Sequence, residues 1–419
     1  MSGRIAVTSL SHAAPFRHVA HAGGQYVLAH ARALASAVDT VYFVPESADN
    51  AAAQADTWSD SVSVELVSTR LGRIEGLVQR ALFLLDPYRW NAGYTRAAVR
   101  NPDLVASIRR SDIVEVQWVE YFRLVGFVRR VAPNVRVIGV VHDVVCERIH
   151  RHAINSPSRL VRWTAGVGRA VNRFRERRLI SALDTAIVLS DKDAGLLADL
   201  GVTCHVDVVW PNLEEPGMSD AVGPNSVDGK SVIFVGAFRR PENETAAVHL
   251  IERIWPAVVA AHPDATLHLV GSNPSTRMLA AAENVASVHV TGFVDSIEPF
   301  YRGARCAVVP LRTGAGVKFK TLSAMLWGVP VVATHVGTEG IGEDSLFYAV
   351  SDTDAGLADG LVQCLNDDQA MVAADRTRTW ARARYTCEPF AERLRKIYGR
   401  GPFGMDSTGG DDDNGAQRK

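Results

Sequence analysis

The sequence predicts an α/β protein with two doubly wound parallel-sheet domains that face each other across a central cleft. Short apolar segments that end in small or polar residues alternate with helical patterns, as in parallel sheets covered on both faces. The length of 419 residues is more than one hydrophobic core usually serves. A stretch rich in Pro, Gly, Ser, Asn and acids, within 211–230, separates two sets of such segments.

The apolar segments are predicted to be the strands of the two sheets. The first domain, 1–212, is expected to hold strands at 5–8, 40–44, 62–67, 113–117, 135–141, 185–189 and 206–209. After a linker at 213–230, the second domain, 231–385, is expected to hold strands at 232–235, 266–270, 288–291, 307–310, 331–334 and 347–350. The glycine-rich, acidic tail at 401–419 is expected to be disordered.

The composition is that of an ordinary globular enzyme, with 47% apolar and 22% charged residues. A net charge of -1 gives no general reason to expect nucleic acid as a partner. The five cysteines lie far apart without a Cys-x-x-Cys pair, which predicts buried free thiols rather than a disulfide framework or a zinc site. Without an apolar run of roughly 18 residues, we expect a cytoplasmic protein that at most contacts a membrane surface.

The segment 314–341 is the most informative part of the chain. Small residues and two lysines open a helix, a glycine closes it, and a short Val-rich strand follows. The free backbone N–H groups of such a helix start, next to positive charge, form a place to hold a diphosphate. Ordinary surface lysines are the alternative. The residues expected to bind phosphate are Gly314, Gly316, Val317, Lys318 and Lys320.

This segment resembles the donor-sugar nucleotide site of retaining glycosyltransferases of the GT-B fold, the glycosyltransferase family 4 group. The order of strands and loops agrees with that family from Ile5 to about Tyr398. The resemblance implies two Rossmann-like domains, a nucleoside diphosphate sugar bound by the second domain, and a last helix, 386–400, that crosses back onto the first. Ser323 stands where the family usually has the glutamate that holds the ribose hydroxyls, and Ala315 where other members carry a further acid.

Two candidate sites follow strands of the first domain. Gly23 and Gly24 precede a helix predicted to begin near Tyr26, and such a turn lets a ligand approach the backbone. His142 and Asp143 stand at the carboxyl end of a strongly apolar strand, where ligands of open parallel sheets bind. The resemblance implies that the glycines lie near the donor phosphates and that the histidine lies near the transferred sugar. Structural roles are the alternatives.

Further candidates lie in loops of both domains. Arg239 and Arg240 follow the first strand of the second domain, and guanidinium groups suit phosphate because they offer aligned donors. Gln117, Trp118 and Tyr121 are expected on the acceptor side, where aromatic rings can stack on a sugar face; burial in the core explains them equally well.

The segment from Arg148 to Arg178 is strongly basic, with Glu176 as its single acid. Apolar residues lie between the arginines, so a basic amphipathic helix on anionic lipid is one interpretation. A solvated charged face over the first domain is the other.

Together these features predict a retaining, hexosyltransferase-type glycosyltransferase that needs no metal or other cofactor. Its partners would be a nucleoside diphosphate sugar and an acceptor that is a glycan, a lipid-linked glycan or a small molecule. A GT-B scaffold without activity, suggested by Ser323, is one rival. A GT-B nucleotide-sugar epimerase, which turns over its donor without an acceptor, is another.

Overall fold

The computed structural model describes residues 4–16, 22–56, 58–69, 86, 88, 91–154, 158–213, 229–314 and 316–400. These residues form two separate sheets in which every paired strand is parallel. The predicted fold class is confirmed. Most of the predicted linker, at 214–228, and the predicted tail lie outside the described residues.

The first sheet has the order β3-β2-β1-β4-β5-β6-β7. Its strands are β1 (Ile5–Leu10), β2 (Val38–Pro45), β3 (Val62–Val67), β4 (Ile113–Gln117), β5 (Arg136–Val141), β6 (Thr185–Val188) and β7 (His205–Val208). The helices between them are α1 (Ala22–Leu34), α2 (Ala48–Ala55), α3 (Ala92–Ala98), α4 (Pro102–Arg110), a 3-10 helix (Val119–Leu124), α5 (Val125–Val131), α6 (Val145–Ile154), α7 (Arg159–Ile180) and α8 (Asp191–Leu200).

The second sheet has the order β10-β9-β8-β11-β12-β13. Its strands are β8 (Ser231–Val235), β9 (Thr266–Val270), β10 (Val288–Gly292), β11 (Cys306–Val309), β12 (Val331–Ala333) and β13 (Ala349–Val350). Its helices are α9 (Pro241–His249), which runs through a π turn (Leu250–Ile254) into α10 (Trp255–Ala261), then α11 (Thr276–Glu283), α12 (Glu298–Arg302), α13 (Phe319–Leu326), α14 (His335–Thr338), a 3-10 helix (Asp344–Leu346), α15 (Asp354–Asn366), α16 (Ala370–Tyr385) and α17 (Cys387–Gly399).

The central strands β4 and β5 are buried along their whole length, including the two polar residues of β4, Glu115 and Gln117. The last helix, α17, packs on α1. Its apolar face, including Phe390, Leu394 and Ile397, belongs to the same buried cluster as Val7 of β1. The end of the chain therefore completes the core of the first domain.

The cysteines depart in part from the expectation of buried thiols. Cys146, Cys306 and Cys364 are buried, but Cys204 is half-buried and Cys387 is exposed at the start of α17. Among the described residues, no helix is both long enough and apolar enough to cross a membrane.

Candidate functional site in the interdomain cleft

A cavity of about 1210 Å³ lies between the two domains. It occupies the region where strands of both sheets end, since Asp143 follows β5, Lys192 follows β6, Arg240 follows β8 and Arg312 follows β11. This is the position expected for ligands of open parallel sheets. Its charged lining residues are Asp143, Arg148, Arg151, Lys192, Arg240, Glu242, Arg312, Glu339 and Asp344.

The loop before α13 folds sharply at two of its glycines. Gly314 has φ of +118° and Gly316 has φ of +74°, conformations that favour glycine. Lys318 is the N-cap residue of α13 and makes no side-chain cap; its Nζ turns back to donate to the Gly316 carbonyl at 2.5 Å. The structure thus brings the predicted lysine and the helix start together, beside the part of the loop that lines the cavity.

One carboxylate forms ion pairs with three cations that come from both sides of the cleft. Glu339, in the turn after α14, is within 3.4 Å of Lys318 Nζ and 2.6 Å of Arg151 Nη1, and it pairs with Lys192. Lys318 belongs to the second domain, whereas Arg151 and Lys192 belong to the first. We call these four residues the Glu339 cluster. Electrostatic attraction between the domains is concentrated here.

A glycine lets the turn that carries Glu339 reach the first domain. Gly340 has φ of +78°, and a Cβ placed on it would lie 3.3 Å from Ser190 Cβ. Ser190 is the N-cap residue of α8, so the turn meets the start of the helix that carries Lys192.

Crowding and burial lower the pKa of the lysines around the cavity. Burial first, and then the nearby cations Lys192, Lys320 and Arg151, lower the pKa of Lys318 to about 7. Burial and Arg151 lower the pKa of Lys192 to about 8. Because burial and neighbouring cations disfavour the charged form of each lysine, a bound anion would raise the pKa of both.

Lys320 lies one residue into α13 and points to a different neighbour. Its Nζ donates to Asn243 Oδ1 at 2.5 Å and lies 5.3 Å from the centre of the Phe234 ring. Burial lowers its pKa to about 8, and Arg240 acts in the same direction while Glu242 opposes it. Lys320 is therefore placed beside the start of α9 rather than in the Glu339 cluster.

The arginine pair after β8 is separated by the structure. Arg240 lines the cavity as the N-cap residue of α9, with Nη1 4.0 Å from Glu242 Oε1. Arg239 is exposed and does not line the cavity. Arg240 is thus the member of the pair that faces the cleft.

The glycine pair near the N-terminus lies inside a helix rather than before it. Helix α1 begins at Ala22, earlier than the predicted start near Tyr26, so Gly23 and Gly24 form its first turn. Gly24 is buried and Gly23 half-buried. The helix start comes early because both glycines adopt helical conformations instead of forming a separate turn.

His142 and Asp143 follow β5 as predicted but face different neighbours. The His142 ring stacks on Trp118, with centroids 4.2 Å apart and an interplanar angle of 14°. Its Nε2 lies 2.9 Å from Gln117 Oε1. Asp143 lines the cavity and accepts from Arg148 Nη1 at 2.5 Å; burial raises the pKa of this carboxyl, while Arg148 opposes the rise.

The predicted acceptor-side residues differ in how deeply they are buried. Trp118 is half-buried, whereas Gln117 and Tyr121 are fully buried. The Tyr121 hydroxyl lies 3.0 Å from Asn91 Nδ2 and 3.3 Å from His12 Nδ1. Of the three, only Trp118 is partly exposed, and none of them lines the cavity of about 1210 Å³.

Ser323 is half-buried in α13 next to a tyrosine. That tyrosine, Tyr301, is 1% exposed and stacks on Trp327, and its hydroxyl donates to the Lys320 carbonyl at 3.5 Å. A neutral hydroxyl therefore occupies the position for which the sequence resemblance implies a carboxylate.

Arg151, Lys192 and Glu339 belong to the site but were not among the residues predicted for it from the sequence. A signal for Lys192 was available, because it follows the carboxyl end of β6 just as His142 follows β5. Arg151 lies in the basic segment from Arg148 to Arg178, and its sequence does not distinguish it from the other arginines there. In the structure, the arginines of this segment have different partners.

Two further charges of that segment hold the first domain together. Arg169 and Arg173 pair with Glu147, at 2.9 Å and 3.3 Å. Glu176 is fully buried and accepts from the N–H groups of Val145 and Cys146, at 2.8 Å and 2.6 Å. It thus caps the start of α6, the helix that carries Arg148 and Arg151.

Residues 229–367 match the family model described as Glycosyl transferases group 1. The matched segment lies in the second domain and includes the loop before α13. A curated relative, an uncharacterized 44.6 kDa protein in the cps region of Klebsiella pneumoniae, is 29% identical over 119 residues. That match covers 27% of this chain and 31% of the relative, so the chain spans about a third of the curated relative that it matches.

Solved structures with the same architecture cover nearly the whole chain. Sucrose-phosphate synthase from Thermosynechococcus elongatus superposes with a TM-score of 0.70 at 17% identity, covering 94% of this chain and 98% of that one. Anabaena HepE in complex with UDP and glucose has a TM-score of 0.65 at 13% identity, covering 94% and 100%. An α,α-trehalose-phosphate synthase (UDP-forming) from Burkholderia vietnamiensis has a TM-score of 0.68 at 11% identity, covering 97% and 99%. At these identities they establish the fold, which is GT-B as predicted.

Proposed function

We propose that this protein is a retaining glycosyltransferase that moves a sugar from a nucleoside diphosphate sugar to an acceptor bound by the first domain. The observation that carries the proposal is the Glu339 cluster, in which cations of both domains converge at the wall of a cavity of about 1210 Å³. The group 1 match includes the Lys318 side of this cluster. Anabaena HepE binds UDP and UDP-glucose, so a uridine diphosphate sugar is the first donor to test.

The proposed chemistry depends on holding the departing diphosphate. Lys318, Arg240 and the uncapped start of α13 would stabilise the charge that develops on the leaving group. Arg151 and Lys192 would approach the same charge from the first domain. Fixed positive groups in this number take the role that a metal ion plays in other phosphate sites, and we therefore propose a metal-independent reaction.

The sugar and the acceptor are assigned to the first-domain side of the cleft. Trp118 offers part of its ring to a sugar face, and His142 lies stacked directly against it. The acceptor class that we propose is a glycan, a lipid-linked glycan or a small molecule. Ser323 would hydrogen-bond the donor ribose, and as a neutral hydroxyl it would bind more weakly than a carboxylate does.

Calorimetric titration with UDP, GDP, ADP and their common sugar conjugates, with metal chelated, tests the donor site. We expect one diphosphate to bind, and Lys318→Met to weaken it by at least about tenfold, the effect of losing one charge-assisted contact. Lys396→Met, at an exposed lysine of α17, is the matched control and should bind normally. If the folded protein binds none of these ligands, the proposal fails.

Incubation of the bound donor with acceptor mixtures then separates the enzyme from its rivals. A transferase releases the diphosphate only when an acceptor is present, and the new linkage keeps the donor configuration. Change of the donor sugar without an acceptor would indicate an epimerase. Binding without any turnover would indicate a scaffold.

We further propose that helix α7 contacts an anionic membrane on the cytoplasmic side. Val167 and Phe174 are 73% and 65% exposed, and with Val171 they form a stripe opposite the buried residues of the helix. Exposed Arg177 and Arg178 extend this face at the end of the helix, as a basic amphipathic surface requires. Part of the basic segment is already engaged in ion pairs and in the cleft, so the stripe rather than the whole segment is the proposed contact.

Vesicle flotation tests this surface. Binding is expected to vesicles that contain phosphatidylglycerol, to fall with salt, and to be absent with phosphatidylcholine alone. Val167→Glu with Phe174→Glu should abolish it, while Phe293→Glu, at a residue 76% exposed in the second domain, should not. Equal binding by both variants would refute the assignment.

A further inference from the structure

A chain of buried polar side chains runs beneath His142 and ends at a carboxylate. Glu115 and Gln117 alternate with valine in β4, so both project from the same face of the sheet. Gln117 pairs in register with Val140 of β5, and His142 stands two residues beyond Val140 on that same face. The three polar side chains therefore form a row across two neighbouring strands.

Glu115 is 2% exposed and accepts hydrogen bonds from three donors. Ser9 Oγ donates at 2.7 Å, Gln117 Nε2 donates at 2.9 Å, and the Tyr398 hydroxyl of α17 donates a short bond. A buried carboxylate with this many donors is fixed in place, because turning it would break several bonds in a region that water does not reach.

The fixed carboxylate determines which way the Gln117 amide points. A carboxylate oxygen can only accept, so the Gln117 nitrogen must face Glu115 and its oxygen must face the other way. That oxygen lies 2.9 Å from His142 Nε2. Since an amide oxygen also can only accept, Nε2 of His142 must carry a hydrogen. Nδ1 is then the ring nitrogen at which a neutral His142 can accept a proton or a hydrogen bond.

Aromatic contacts hold the plane of the same ring. Trp118 stacks on it, and the edge of Tyr26 meets it with centroids 5.1 Å apart. Trp118 has φ of +69°, which is strained for a residue with a large side chain, and its N–H donates to Val140 O at 3.1 Å. The strained backbone keeps the indole over the imidazole.

His30 lies beside this chain without neutralising it. It is fully buried, and burial lowers its pKa although Glu115 acts in the opposite direction. Its Nδ1 is 3.2 Å from Gln117 Nε2 and 3.4 Å from Glu115 Oε2. A neutral His30 accepts the second amide hydrogen of Gln117, which adds a further constraint on the amide.

We propose that Glu115 is a positioning residue that acts through Gln117 to hold His142 as the Nε2–H tautomer. The role of His142 in the transfer reaction rests on the proposed function, whereas its tautomer does not. Tyr398 joins the same chain from α17, so the last helix of the protein contributes to the order of the cleft.

The tautomer is measured by long-range ¹H–¹⁵N correlation on the full chain labelled at histidine, with His142→Asn to assign the signals. In the wild-type protein, neutral His142 should be the Nε2–H form. Glu115→Gln frees the Gln117 amide to turn, and the Nδ1–H fraction should rise at least about fivefold, the factor that matches one lost hydrogen bond. Ser9→Ala is the matched control, because it removes one donor to Glu115 and leaves the Gln117 amide held.

Two results would overturn the inference: an Nδ1–H form in the wild-type protein, or an unchanged tautomer in folded Glu115→Gln. If Glu115→Gln does not fold, Gln117→Met carries the same expectation, since it removes the acceptor for Nε2. Diphosphate binding by Glu115→Gln should equal that of the wild type, because Glu115 makes no contact with the Glu339 cluster. If the wild-type protein binds no diphosphate, the proposed function is refuted and the tautomer result still stands.

Discussion

Diphosphate binding should take up protons above neutral pH, because the ligand-free site holds the pKa of Lys318 at about 7. A bound diphosphate favours the charged amine and returns its pKa toward the ordinary value of about 10.4. Above pH 7 the site must therefore bind a proton together with the ligand, and affinity falls as pH rises. From pH 7.5 to 8.5, Lys318 alone predicts a loss of about eightfold, from the fraction already charged at each pH.

Calorimetry in two buffers of different ionisation enthalpy measures this proton uptake directly. Lys318→Arg stays charged over the whole range, so it should lose most of the slope below pH 8. A weaker slope above pH 8 should remain, since the pKa of both Lys192 and Lys320 is about 8. Equal affinity at pH 7.5 and 8.5, with heats that do not depend on the buffer, would show that the reasoning about Lys318 is wrong.

Three further outcomes are expected. Glu339→Gln removes the carboxylate that competes with a ligand for three cations, so diphosphate affinity should rise about tenfold. The free energy of unfolding in urea should fall by about 1–2 kcal/mol. Asp344→Asn, at the same cavity, should change neither quantity. Glu176→Gln should lower the free energy of unfolding by about 2–4 kcal/mol, because the amide cannot accept both N–H groups that start α6. Tyr88→Phe removes only the hydrogen bond that the Tyr88 hydroxyl donates to Glu176 Oε2 at 2.9 Å, so it should cost about 1 kcal/mol. A similar loss in both variants would contradict the capping role. The ligand-free protein should become more stable between pH 7 and 9. The pKa of Lys318 is lower in the folded protein, so the unfolded chain binds more protons in that window. A fall in stability over this range would contradict the lowered pKa of Lys318.

The strands could be predicted because the pattern that indicates each strand lies in a few consecutive residues. The segments at 62–67, 113–117 and 266–270 form strands with the predicted bounds, since a buried parallel strand needs only a short apolar run between helices. The predicted strand at 347–350 shortens to Ala349–Val350, because it pairs only with β12 at the end of the sheet. The predicted start of α1, near Tyr26, was too late in the chain. Two adjacent glycines are typical of a turn, and their sequence alone does not show that they belong to the helix.

The site was predictable only where one loop holds the relevant residues. Lys318 belongs to a motif that can be read in one stretch, and the structure places it beside the cleft. Its partners Arg151, Lys192 and Glu339 come from three distant parts of the chain, and their meeting depends on how two domains pack. No local pattern carries that information. Glu115 had a local signal, a glutamate and a glutamine two residues apart in an apolar strand, which indicates a shared polar face.

The passage of α17 back to the first domain has a consequence for synthesis on the ribosome. The apolar face of this helix fills the cluster that includes Val7 and Ile113, and its Tyr398 donates to Glu115. Residues 5–208 can therefore emerge and form their sheet, but the part of one face that α17 covers beside α1 stays exposed until translation has passed residue 398. The second domain is made during this interval and has its own core. The first half of the chain is thus the last to be completed, and a nascent or truncated chain that lacks the final helix exposes an apolar surface to its surroundings.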